Sequence, residues 1–185
     1  MRIPIGSIAA VILLVTAAST GQAADKPTDP QIAHIAYTAG DLDIKAAQLA
    51  LQKSESKDVR GFAENMVKDH TAVNDQALAL VKKLKVTPED NATSKSLTKD
   101  AAEKLVELGK LSGAAFDKAY VDNEVAYHKT VNDALSTTLI PNASNEELKN
   151  FLQTGLKILR RKSCRRRVRF CARLWRQQGR RMCAR

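Results

Sequence analysis

A chain of 185 residues with 44% hydrophobic and only 4% aromatic side chains has apolar content for one core of ordinary domain size, rich in Ala, Leu and Val. Its formal charge of +10 suggests a nucleic-acid surface, but twelve of its basic residues lie in 160–185, where there is no Asp or Glu, so that 1–159 carry −2. The body is therefore mildly acidic, and no nucleic-acid partner is expected for it.

The first element is a leader. Arg2 precedes the apolar run Ile8 to Val15, and Gly21-Gln22-Ala23 supplies small residues for cleavage. This order is that of a secretory signal peptide over 1–23, with the mature chain starting at Ala24 and destined for the periplasm or beyond. The run is too short for a membrane anchor, which needs about 20 apolar residues. Residues 24–159 then form the expected domain. Pro27 and Pro30 keep the lead-in extended, and Asp29 is the expected cap of a helix from about Pro30 to Lys53. That helix carries Ile32, Ile35, Ala39, Leu42, Ala46, Leu49 and Ala50 at spacings of three and four, with Gly40 weakening its middle.

Val59, Ala63, Met66, His70, Val73, Ala77, Leu80 and Leu84 alternate steps of four and three, which predicts a second helix with a bundle seam, capped by Ser56. Val86 to Asn91 is the loop that follows. A third helix is predicted over Ser96 to Leu111 with Leu97, Ala101, Leu105 and Leu108 on one side. A fourth runs from Ala114 to about Thr138 with Phe116, Tyr120, Asn123, Tyr127, Val131, Ala134 and Leu135, and Ile140-Pro141-Asn142 closes it. The last opens at Ser144, with Glu147 completing a capping box, and shows Leu148, Phe151, Leu152, Gly155, Leu156 and Leu159. No strand pattern competes, and amphipathic helices joined by short polar loops are best satisfied by an all-α antiparallel bundle.

After Leu159 the text changes. Residues 160–185 contain eleven Arg, one Lys, every Cys (Cys164, Cys171 and Cys183) and the only Trp. An irregular, misframed tail explains this composition, since a shifted reading frame in GC-rich DNA yields Arg- and Cys-rich sequence. The competing reading is a cationic segment with Val168, Phe170, Leu174 and Trp175 on one side, giving weak contact with anionic surfaces. The cysteine spacings match no zinc pattern.

Three segments taken together resemble a known family: Ala46-Ala47-Gln48-Leu49-Ala50; Val59 through Phe62-Ala63, Met66-Val67 and Asp69-His70; and Phe116-Asp117-Lys118-Ala119-Tyr120 followed by His128. The chain resembles, over about 30–159, the secreted ferritin-like family catalogued as domain of unknown function 4142. The resemblance implies a ferritin-like four-helix bundle, export in Gram-negative bacteria and an envelope- or stress-related role without an assigned activity. The chain departs from the family in having Asp43 where a Glu is usual, and in lacking a histidine in the final helix.

The chemistry legible in the residues is sparse. No Gly-x-Ser-x-Gly, body cysteine or Gly-rich phosphate loop is present, and Asp41 and Asp43, two apart on a helix, point away from each other. Enzyme status therefore has no positive support. The di-iron sites of ferritin-like bundles use Glu-x-x-His pairs, of which this chain has none. A weaker site for a transition metal ion would draw on His70, on Glu124 and His128 four apart, and on Asp43. Against it, a seam histidine such as His70 can simply hydrogen-bond a polar neighbour, and Glu124–His128 can be a pair on an exposed face. His34, near a helix start, is expected to be solvated. The leading reading is a non-catalytic binding or envelope-stress protein, with a metal-binding or redox protein of the ferritin superfamily, and a binder of anionic surfaces through the tail, as alternatives.

Overall fold

The computed structural model of the chain describes residues 26–157. The expected leader over 1–23 and the tail over 160–185 lie outside the described residues. Within them every regular element is helical.

Helix α1 (Asp29–Lys53) begins one residue earlier than expected, with Thr28 as the extended N-cap and Pro30 in the first turn. The Gln31 side chain accepts the Thr28 N–H at 3.2 Å. Asp29, expected as the cap, has a more distant task. Its carboxylate accepts the N–H groups of Ser144 and Asn145 at 2.8 and 2.9 Å, and so ties α1 to the start of the last helix. At the other end of α1, the Arg60 guanidinium donates to Leu51 O at 2.5 Å and Ser54 O at 3.3 Å, covering carbonyls that a helix end leaves unpaired.

Ser56 caps α2 (Lys57–Leu84), its hydroxyl accepting the Val59 N–H, and Lys85 ends it in the left-handed conformation at φ 54°. Helix α3 (Ala92–Gly109) starts four residues before the expected Ser96 because Asn91 caps it reciprocally. Asn91 Oδ1 accepts the Ser94 N–H at 3.0 Å, and Ser94 Oγ accepts the Asn91 N–H at 3.1 Å. Gly113, at φ +53°, opens α4 (Gly113–Ala134) after only three linking residues; a side chain there would be strained.

Helix α4 continues through one π-helical turn, Leu135–Leu139, and a short turn, Ile140–Asn142. Pro141 has no N–H to give, and just before it the Ile140 N–H reaches back five residues to Leu135 O. The widened turn places both Leu135 and Leu139 inside. The last helix occupies 146–157. Its cap is Asn145 rather than the expected Ser144: Asn145 Oδ1 accepts the N–H groups of Glu147 and Leu148 at 2.9 and 3.1 Å.

Helix α1 packs against α2, α3 and α4 and is buried over a wide face. Near its C-terminal end, Ala46, Ala47 and Ala50 let Val59, Ala63 and Met66 of α2 and Phe116 and Tyr120 of α4 approach closely. Phe116 stacks on Tyr120 with centroids 6.1 Å apart, and Phe62 meets Tyr120 edge-on at 6.0 Å. Burial of each such ring contributes roughly 2–3 kcal/mol. At the other end Ile32 and Ile35 meet Leu135, Leu139, Leu148, Leu152 and Leu156.

The stripe predicted for α2 holds as far as His70. Beyond it the fully buried positions are Asn74 and Val81, while Val73, Ala77, Leu80 and Leu84 are half-buried. A straight helix drifts against a seven-residue repeat, and Asn74 is thereby carried to the interface. Gly40 is buried opposite it: a Cβ there would stand 2.3 Å from Asn74 Oδ1. The residue expected to weaken α1 is thus what lets α1 and α2 meet around a polar side chain.

Candidate metal centre

Between the two apolar clusters lies a band of buried polar groups. It arises because three helices carry an ionisable residue in phase with their buried stripe. On α1, Asp43 follows Ile32, Ile35 and Ala39 inward; on α2, His70 follows Val59, Ala63 and Met66. On α4 the stripe is Phe116, Tyr120 and Glu124, with His128 one turn further on. Asp43 and Glu124 are each 2% exposed and His70 is 7% exposed, while the His128 side chain is 13% exposed.

The reading of Glu124 and His128 as an exposed pair is therefore overturned. Glu124 lies four residues after Tyr120 on the same buried face, and the expected Asn123 is only half-buried. His34, expected to be solvated, is half-buried as well, with Nδ1 3.9 Å from Asp90 Oδ1.

Three of the four candidate residues converge on one point. His70 Nε2 stands 2.8 Å and His128 Nε2 2.9 Å from the same oxygen, Asp43 Oδ2. The imidazole centroids are 5.6 Å apart with their planes at 72°. One ligand atom from each residue lies within 4.8 Å of the others. Glu124 stands beside this trio, its Oε2 4.0 Å from His128 Nε2.

Distance alone would make these hydrogen bonds, but direction does not. With both carboxyls ionised, the Asp43 and Glu124 oxygens and His128 Nε2 are buried without a hydrogen-bond partner of acceptable geometry, and a proton on Glu124 would be shared with Asp43 alone. Buried polar atoms left in this way cost roughly 1–3 kcal/mol each. Two ligands about 2.1 Å from one ion would be separated by about 3 Å at a right angle and about 3.4 Å in a tetrahedral shell, so the groups found here would part by roughly half an ångström at most to admit one.

Burial by itself would raise the Asp43 carboxyl, but the imidazoles of His128 and His70 outweigh it and hold the group well below the usual carboxylate range. Glu124 goes the other way: burial, and then the charge of Asp43, raise it well above its ordinary value. The same two influences act on the Tyr120 phenol, which burial and the charges of Glu124 and Asp43 push upward. Its hydroxyl is buried with no partner, one turn from Glu124. Tyr127 is anchored differently, donating to Ala39 O at 2.8 Å.

The donor set decides which metal arrangement fits. A ferritin-like di-iron centre draws a Glu from each of two helices and a Glu-x-x-His pair from each of two others. The band offers two carboxylates and two imidazoles, too few for two ions. Two imidazoles and one carboxylate from three helices fit a single ion with open positions. Asp43, His70 and His128 also line one wall of a cavity of about 730 Å³, so an ion held there would face open space.

Sequence reasoning reached Asp43, His70, Glu124 and His128 but missed the roles of Tyr120 and Asn74. Tyr120 was legible only as core, and the signal that could have linked it to Glu124 and His128 was their common spacing of four. Among the described residues no helix is long and apolar enough to cross a membrane. The family model described as Domain of unknown function (DUF4142) matches residues 14–163. No curated protein and no solved structure matches the chain.

Proposed function

The chain belongs to the DUF4142 family, whose description assigns no activity, and from the geometry of the buried band we propose that it binds one first-row transition-metal ion. His70 Nε2, His128 Nε2 and an Asp43 oxygen would hold the ion, with Glu124 beside them. The observation that carries this reading is the convergence of two ring nitrogens on one buried carboxylate oxygen without aligned hydrogen bonds. An ion would supply Lewis acidity and a fixed positive charge; the chain's own residues would hold and orient it.

In our reading the bundle is ferritin-like in arrangement but mononuclear in its centre. It acts by binding, as metal sequestration in the bacterial envelope would require, and no group of the band is assigned a catalytic step. Export rests on the leader over 1–23, and N-terminal sequencing that finds Ala24 first would support it. Contact of the tail with anionic surfaces is a separate proposal. It predicts salt-sensitive binding that disappears when 160–185 are removed.

Titration with Zn²⁺ tests the metal reading. His70→Ala and His128→Ala should each weaken binding by about a hundredfold or more and to a similar degree, since both complete one coordination shell. Unchanged affinity in both variants would reject the shared site.

A further inference from the structure

The metal centre occupies one wall of a much larger space. The cavity of about 730 Å³ has mainly apolar walls, including Ile35, Val73, Ala77, Leu97, Val131 and Leu139 from four successive helices and the π-helical turn. Its size and lining are those of small-molecule sites, in which a few converging polar groups fix one end of an apolar ligand. Small residues keep it wide: Ala77 and Gly155 both line it, and a Cβ at Gly155 would meet nothing within 4 Å. Apolar walls that face solvent forfeit contacts that a fitting ligand would restore.

Charge selects the other end of that ligand. A divalent ion held by one carboxylate and two neutral imidazoles retains a net positive charge of about one before Glu124 is counted, and keeps open coordination positions whichever state Glu124 takes. Hard, anionic oxygen suits them. We infer that the cavity binds a monocarboxylate with an unbranched apolar chain, its carboxylate completing the shell of the ion and its chain lying along Val73, Ala77, Val131 and Leu139. This inference rests on the metal reading.

The full chain loaded with Co²⁺ offers a visible absorption band that responds to a change of ligand. Acetate, hexanoate and decanoate, kept below micellar concentrations, are titrated against that band. Each buried methylene should tighten binding roughly threefold to fourfold, so the decanoate midpoint should lie at least a hundredfold below that of acetate. Ala77→Phe, which narrows the cavity two helical turns from His70, should retain Co²⁺ and the acetate response but lose at least tenfold of the preference for decanoate. Equal midpoints for acetate and decanoate on Co²⁺-loaded protein would overturn this inference while leaving the metal reading intact, as would an undiminished preference in Ala77→Phe. Failure of the chain to take up Co²⁺ at all would overturn the metal reading and this inference with it.

Discussion

Asp43 and Glu124, both 2% exposed, show how surroundings rather than residue type decide which way a buried carboxyl is shifted. The imidazoles lower the Asp43 carboxyl in spite of its burial, whereas burial and the neighbouring Asp43 charge raise Glu124. Their effects on stability have opposite signs. The Asp43 contribution is complete above its ordinary value of 3.8 and is lost as pH falls from there through its lower folded value. The Glu124 contribution is complete below 4.5 and is lost as pH rises from there through its raised folded value. In metal-free protein, Glu124→Gln should therefore gain thermal stability over the wild type as pH rises, with a larger difference in melting temperature at about pH 8 than at about pH 5. A difference that is constant with pH would contradict this. Tyr120 gives an independent check. Its hydroxyl is buried without a partner, so Tyr120→Phe should be neutral or stabilising by up to about 1 kcal/mol in a denaturant titration. The residue types of the site were legible in the sequence because His70 fell on an apolar repeat. Their meeting was not, because spacing along one helix says nothing about which turn of another helix lies opposite.

Glycines separate helix propensity from helix packing. At Gly61 a Cβ would meet nothing within 4 Å, whereas at Gly40 it would lie 2.3 Å from Asn74 Oδ1. Gly61→Ala should stabilise by about 0.5–1 kcal/mol, the ordinary helix-interior gain. Gly40→Ala should forfeit that gain and lower stability, because Asn74 must leave the position from which it donates to Tyr37 O at 3.4 Å. Paired urea melts of the two variants check the difference, and equal gains would contradict it. The same contrast explains what the sequence reveals about the elements. Spacings of three and four located the helices, and Ser56 marked the start of α2. The starts of α1, α3 and the last helix shifted because Thr28, Asn91 and Asn145 are also capping residues, and local text does not rank neighbouring caps. Asp29 illustrates the limit, since its partners at Ser144 and Asn145 lie across the fold.

For the whole molecule, two apolar clusters stabilise the ends of the packed helices, and the polar band between them is where stability is given up. Cores of this kind tolerate such a band when a ligand satisfies it. An ion supplied at a hundred times its dissociation constant would add about 2.7 kcal/mol, which for a domain of this size raises the melting temperature by roughly 6–12 °C. His70→Ala should abolish that rise, as calorimetry with and without a chelator would show. The most direct test of the central claim is elemental analysis of the full chain after exposure to first-row metal ions and exhaustive dialysis. One equivalent per chain in the wild type, falling below about a tenth in His70→Ala and His128→Ala, is the predicted result; no retained metal in the wild type, or one equivalent retained in both variants, would contradict it.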